Sequence, residues 1–489
     1  AAAYATASGG LAASTGQIAY SDDLLTVKGG TIDLQSDSTK IAVTTGVHAR
    51  LGGTINTGTT DIKTYARTTE RSSSTEAQGL AAGEYNSQDG KYYPGHIVVT
   101  SDKITVRATA QADNRANYFR SFAARASEGT LVLNNAELVA RTVSDVPDNV
   151  WSGNLAYGVL LEGNSTFKMK DGSIDAAATD LAGTTMVGYA RGLRTISESG
   201  GPRKTVEIGN VNIRAEGTDA RAVEINYADM TMSGGSLEAV AHGNENKTAA
   251  GLRALKTSTF AATGALDITA KAVTDSAAVG VEATGENVTV SLAGGSVTAQ
   301  SEGLGHAKGL EATSGGAITK TSGDITVTSG GGLATGIRVL DNKDGLPGSK
   351  VAFGSEESRS SLKVEGGDYT WGVFAKNWDV ATSDGEVATA EITNTDISAA
   401  AKDSSDMVLA VYTSSGAVNL KGSSVSVSAP QSTSQVYAMY AETENGKGVI
   451  SSTDTTGITG DIGAVTSDAE ISVAFADGAA FRGWTRSAG

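Results

Sequence analysis

Apolar residues recur along this chain in short alternating bursts rather than in helical stripes. A small residue followed by aliphatic, any residue, apolar appears at Gly46, Gly79, Ser121, Gly158, Gly192, Ala222, Gly251, Gly280, Gly309, Gly336, Gly372, Ala410 and Ala438. The spacing of these anchors is uneven at the two ends of the chain but nearly constant in the middle, where it runs 30, 29, 29, 29 and 27. The position one after each anchor is apolar by definition of the motif. The position three after is not so fixed, and it is apolar in eleven of thirteen cases, from Ala49 to Ala441. Alternate residues therefore face one side, which is the signature of a strand.

Each unit carries two further strands, read as apolar-x-apolar, a Gly- or Asn-containing turn, and apolar-x-apolar again. Leu131/Leu133 with Leu138/Ala140, Phe167/Met169 with Ile174/Ala176, Met230/Met232 with Leu237/Ala239 and Val418/Leu420 with Val425/Val427 share an offset of seven. Their turns hold Asn134-Asn135, Gly172, Gly234-Gly235 and Gly422, residues that accept positive φ. Three short strands in about 29 residues make one coil of a solenoid. The expected fold is all-β: a single-stranded right-handed parallel β-helix with three strands per coil and about 13 or more coils, widened by loop insertions. Residues 1–459 form the helix and 460–489 its C-terminal cap. The largest insertions are expected at about 64–78, 83–95, 143–156 and 340–358, carrying Tyr85, Tyr92, Tyr93 and Trp151.

Composition agrees. Gly is 61 of 489 residues and aromatics are 5%, so the core must be built from small side chains in thin layers. Lys and Arg number 38 against 54 Asp and Glu, a net charge of −16, which argues against nucleic acid and anionic membrane as partners. There is no cysteine, which excludes disulfides and thiol chemistry and suits export through an oxidising compartment. No stretch approaches 18 apolar residues, so the chain has no transmembrane helix of its own.

With these rungs in view the chain resembles the passenger domains of Gram-negative autotransporters, of the pertactin-like and self-associating adhesin type. The resemblance rests on Gly234-Gly235-Ser236-Leu237-Glu238-Ala239 and Gly294-Gly295-Ser296-Val297-Thr298-Ala299, on Ala249-Ala250-Gly251-Leu252-Arg253-Ala254, and on the tail. The tail reads Gly460-Asp461-Ile462, Ile471-Ser472-Val473-Ala474-Phe475 and Asp477-Gly478-Ala479-Ala480-Phe481-Arg482-Gly483-Trp484. The resemblance implies export through the outer membrane, an extracellular or cell-surface location, and a translocator barrel outside this chain. It also implies adhesion or self-aggregation, with a host glycan, an extracellular-matrix protein or the same protein on a neighbouring cell as partner.

Candidate chemistry is sparse. His48, His96, His242 and His306 lie at different phases of the repeat and do not stack, so neither a metal site nor a cofactor is expected. No serine-nucleophile motif is present. Asn394-Thr395-Asp396 is similar to the start of a polygalacturonase motif, which makes a polysaccharide lyase or hydrolase the runner-up reading; Ile397 follows where glycine would be needed, and the triplet also fills a turn. Asp341-Asn342-Lys343-Asp344-Gly345 reads as a polar loop with weak calcium-binding character. A purely structural stalk is the third alternative.

Two outward-facing series remain, both two residues after the anchors. Arg194, Glu224, Arg253, Glu282, Glu311 and Arg338 form a charged strip, a candidate self-association surface. Phe374, Tyr412 and Tyr440, with Trp371 beside them, form an expected exposed aromatic stripe and the candidate ligand-binding residues.

Overall fold

The computed structural model describes residues 2–7, 11–20, 23–70, 73–86, 90–113, 118–144, 153–196, 201–342, 345–378, 382, 385–401, 405–430, 433–444 and 447–487. Trp151, with most of the insertion expected at 143–156, and Lys343 and Asp344 lie outside them. The chain divides into two compact units, Ala1–His242 and Gly243–Gly489. Each is a stack of parallel coils, a β-helix in which equal phase in the sequence is physical adjacency.

In the first unit one face is built of the anchor strands, among them Ile41–Ala49, Ser74–Ala82, Tyr118–Ser127, Gly153–Glu162, Tyr189–Ile196 and Asp219–Asn226. The other two strands expected in each coil are here mostly fused into one long bent strand, as in Thr130–Ser144, Thr166–Thr179, Lys204–Gly217 and Ala228–Ala241, and stay separate in His96–Val99 with Ile104–Ala112. The bend falls on the expected turn residues: Gly172 has φ 119° and Gly235 has φ 106°. In the second unit the same path is mostly broken in two, as in Thr289–Gly294 with Val297–Ser301 and Ala417–Lys421 with Ser424–Ser428. The strands of successive coils pair in parallel, with Leu252 opposite Val281, Val281 opposite Leu310 and Leu310 opposite Ile337. The tail strands Glu470–Arg482 and Thr485–Ser487 pair in parallel on Val449–Thr459 and Asp461–Ala464.

The anchors are small for a steric reason. A Cβ built on Gly251, Gly280, Gly309 or Gly336 would lie 2.5–2.8 Å from the carbonyl oxygen of the next anchor in the stack. The same Cβ on Gly280 would meet Val297 Cγ1 at 2.4 Å, and on Gly309 Ile325 Cγ2 at 2.7 Å, both from the facing strands. The coil is pinched at this point. Pairing passes over the anchor, joining Ala250 to Val279 and Leu252 to Val281, and the in–out alternation slips by one there, as at a bulge.

Register corrects two sequence assignments. Ala124 pairs with Leu80 and Val159, so Ala123, not Ser121, stacks between Gly79 and Gly158. Gln17 pairs with Val47, which makes Gly16 an earlier anchor. The expected insertion at 64–78 is also overturned: most of it belongs to the strands Thr54–Thr68 and Ser74–Ala82. The insertion at 83–95 is real and holds a small antiparallel hairpin, Glu84–Asn86 with Lys91–Tyr93.

Candidate functional site

The slip at the anchor decides what the outer face of the anchor strands presents. Residues three before, one before and two after the anchor all point outward, so each coil contributes several side chains to neighbouring columns. In the second unit the column three before reads Thr248, Ala277, His306, Leu333, Tyr369, Met407 and Gln435. The column one before includes Lys308, Thr335, Trp371, Leu409 and Tyr437.

Where these columns are aromatic they close on themselves. Phe374, Tyr412 and Tyr440 are only 4%, 8% and 7% exposed, so the stripe expected to be open to solvent is buried. The cause is coil spacing. Rings on successive coils, about 4.8 Å apart, come within stacking distance. Phe374 stacks on Tyr412 with centroids 4.7 Å apart, and Trp371 packs on Phe374 at 4.6 Å and on Tyr412 at 5.6 Å. Tyr440 touches Tyr412 at 5.7 Å and Tyr437 at 5.0 Å, while Leu340 and Leu409 complete the cluster. Burial, then a hydrogen bond donated to Glu442, pushes the Tyr412 hydroxyl far above its ordinary pKa. Of the four candidate ligand residues, Trp371 lines a hollow.

That hollow lies at the start of the anchor strands. It has a volume of about 370 Å³ and is lined by Leu304, His306, Leu333, Tyr369 and Trp371, with Gly331, Gly332 and Asp368. A second hollow of about 380 Å³ shares Leu304 and His306 with it and continues to Asn244, Glu245, Asp275 and Lys308. The two hollows meet at Leu304 and His306 to form a groove whose Trp371 end is almost wholly apolar and whose Asn244 end mixes polar and apolar groups. Leu304 is 71% and Tyr369 40% exposed. Asp275 accepts a hydrogen bond from the Leu304 amide at 2.9 Å, which fixes the loop that carries the leucine. Burial, then Lys308 and Arg338, lowers the His306 pKa below its ordinary value, with Glu311 opposing. The Trp371 Nε1 and the Thr335 Oγ1, on paired residues of adjacent coils, are both buried without a hydrogen-bond partner among the described residues.

The charged strip is a set of internal ion pairs. Arg194 Nε lies 2.8 Å from Glu224, Arg253 Nε 2.9 Å from Glu282, and Arg338 Nη1 2.6 Å from Glu311. Glu224 and Glu311 are themselves buried. Burial opposes the Glu224 charge, but Arg221, Arg194 and Arg191 outweigh it and hold its pKa down at about 2. Lys308 and Arg338 do the same for Glu311, lowering its pKa against burial.

Asn394 takes a left-handed φ of 48°, as the turn reading of Asn394-Thr395 requires. Arg359 Nε meets Asp396 at 2.8 Å, and this contact lowers the Asp396 pKa, the opposite of what a general acid needs. Asp341 accepts from the Ser349 amide at 2.8 Å. No group of three or more His, Cys, Asp or Glu residues placed to hold a metal ion occurs among the described residues. Lys320, buried inside the coils, donates to the Gly295 and Ser322 carbonyls at 2.6 and 2.7 Å; burial lowers its pKa to about 8.

Compared with models of known families, with curated proteins and with solved structures, the chain matches none.

Leu304, Leu333 and Tyr369 were missed from sequence. The signal was available: His306 lies three before its anchor, and the same count from Gly336 and Gly372 gives Leu333 and Tyr369.

Proposed function

We propose that this chain is a non-catalytic attachment module, a surface-displayed or secreted adhesin that binds a host glycan or matrix protein, or a copy of itself on a neighbouring cell. The reading is carried by the columns of outward side chains in the second unit, which set a groove with one apolar and one mixed end into a backbone fixed by parallel pairing. A preformed concave surface with few polar groups suits recognition, because little ordering cost is incurred on binding. Many copies on one cell add avidity to a modest single-site affinity. The rungs that resemble autotransporter passengers support export and surface display.

The test is to display the chain on non-aggregating bacteria and to measure settling and adhesion to immobilised glycans and matrix proteins. Gain of aggregation or of adhesion is expected. Display without either gain overturns the proposal.

A further inference from the structure

We infer that the groove running from Asn244 to Trp371 is a binding site for uncharged oligosaccharides, taken up along the stack of coils. The inference rests on the attachment reading and names the ligand class.

Three observations carry it. The first is length. Thr248, Ala277, His306, Leu333 and Tyr369 occupy one phase on five successive coils, four steps of about 4.8 Å. The groove beside them therefore suits a short chain of linked units rather than a single small molecule.

The second is its two-sided chemistry. A pyranose ring has a C–H face and a rim of hydroxyls. Tyr369, Trp371, Leu304 and Leu333 offer the apolar surface for the first. Asn244, Glu245, Asp275 and Asp368 offer acceptors and donors for the second. A purely apolar ligand would leave the carboxylate end desolvated and unpaired.

The third is charge. Glu245, Asp275 and Asp368 give three carboxylates, while Lys308 is already held by Glu311 at 2.9 and 3.0 Å. Like charge repels a sialylated or sulfated glycan from such a groove, and the net charge of −16 adds to that at long range.

The experiment places the purified chain on an array of neutral tri- to hexasaccharides beside their sialylated and sulfated counterparts. Titration of the best hits by calorimetry and by tryptophan emission follows. Binding of neutral members is expected, at least tenfold tighter than their anionic counterparts, with a shift in emission. Tyr369→Ala and Leu304→Ala should each weaken binding about tenfold; Leu304→Ala should leave the unfolding midpoint unchanged, while Tyr369→Ala, which also removes a ring contact with Trp371 and a hydrogen bond with Asp406, should lower it slightly with the fold retained. Trp371→Leu should abolish the emission shift. Glu245→Lys combined with Asp368→Lys should bring anionic glycans to parity. Three results overturn the inference: no neutral oligosaccharide bound at millimolar concentration, an anionic preference in the unaltered chain, or binding indifferent to Tyr369→Ala and Leu304→Ala. Adhesion or aggregation of displaying cells alongside any of these would sink the glycan site and leave the attachment reading standing. Loss of both would sink both.

Discussion

His48 is a titrating weak point in the first unit. It sits two residues after Gly46 on an anchor strand, where burial and then the charge of Arg50 lower its pKa to about 4, partly offset by a hydrogen bond with the Gly83 backbone. In the unfolded chain the same group titrates near 6.5. The unfolded state therefore binds the extra proton first. The stability this neutral imidazole carries is complete above about pH 6.5 and is lost as pH falls towards 4, at roughly 1.4 kcal/mol for each pH unit between the two values. Urea unfolding followed between pH 7 and 4 should show that decline, and His48→Gln should flatten it. Glu224, with its pKa held at about 2, contributes its own loss only at lower pH, below its ordinary range, so the two are separable. At this scale the sequence was a partial guide. Trp371 was found because it adjoins an anchor, but the burial of Phe374, Tyr412 and Tyr440 was not. Counting one phase predicts a stripe, whereas the slip at Gly372 sets two outward columns side by side and lets the rings bury each other.

The anchor strand is the element on which register depends. Gly280 belongs to Ala277–Thr284, and a Cβ there would fall 2.7 Å from the Gly309 carbonyl and 2.4 Å from Val297 Cγ1. Ala222, Ala410 and Ala438 occupy the same phase elsewhere, so a methyl group is accommodated when the coils relax. Gly280→Ala should therefore cost about 1–2 kcal/mol and Gly280→Val about 3 kcal/mol or more, because a branched side chain must push both the next coil and the facing strand. Thermal and urea midpoints of the two variants would check the order. This steric demand explains why the anchors were readable: the pinch leaves one small residue per coil, at an even spacing wherever no loop intervenes. It also explains the misreading at Ser121. Ser121-Phe122-Ala123-Ala124 satisfies the rule in one frame and Ala123-Ala124-Arg125-Ala126 in the next, and only pairing with Leu80 and Val159 selects the second. The bent strands of the first unit were read as two because their turn glycines look alike whether the strand bends or breaks.

At the scale of the whole molecule a coil is a removable unit. In a solenoid each repeat contacts its neighbours alone, so stability approximates a sum of repeat and interface contributions. Within the second unit Ala250 pairs with Val279, and the strand Thr248–Leu255 has the same phase as Ala277–Thr284. Deleting 251–279, one whole repeat, joins Ala250 to Gly280 and makes the junction Thr-Ala-Ala-Gly-Val-Glu-Ala-Thr, a complete anchor strand. The shortened chain should keep its strand content per residue by circular dichroism and still unfold cooperatively, with a modestly lower midpoint. Deleting 251–280 removes one residue more and joins Ala250 to Val281, which takes the pinch glycine from the junction and leaves this coil one residue short of the next, which keeps Gly309, so that pairing on one side of the junction must slip by one residue. That variant should be several kcal/mol less stable or fail to accumulate. The contrast between the two deletions tests phase itself, since the resulting chains differ by a single glycine and are otherwise alike in composition. Equal tolerance of both would mean that the loops, and not the stacked columns, set the register, and the groove built from those columns would lose its foundation.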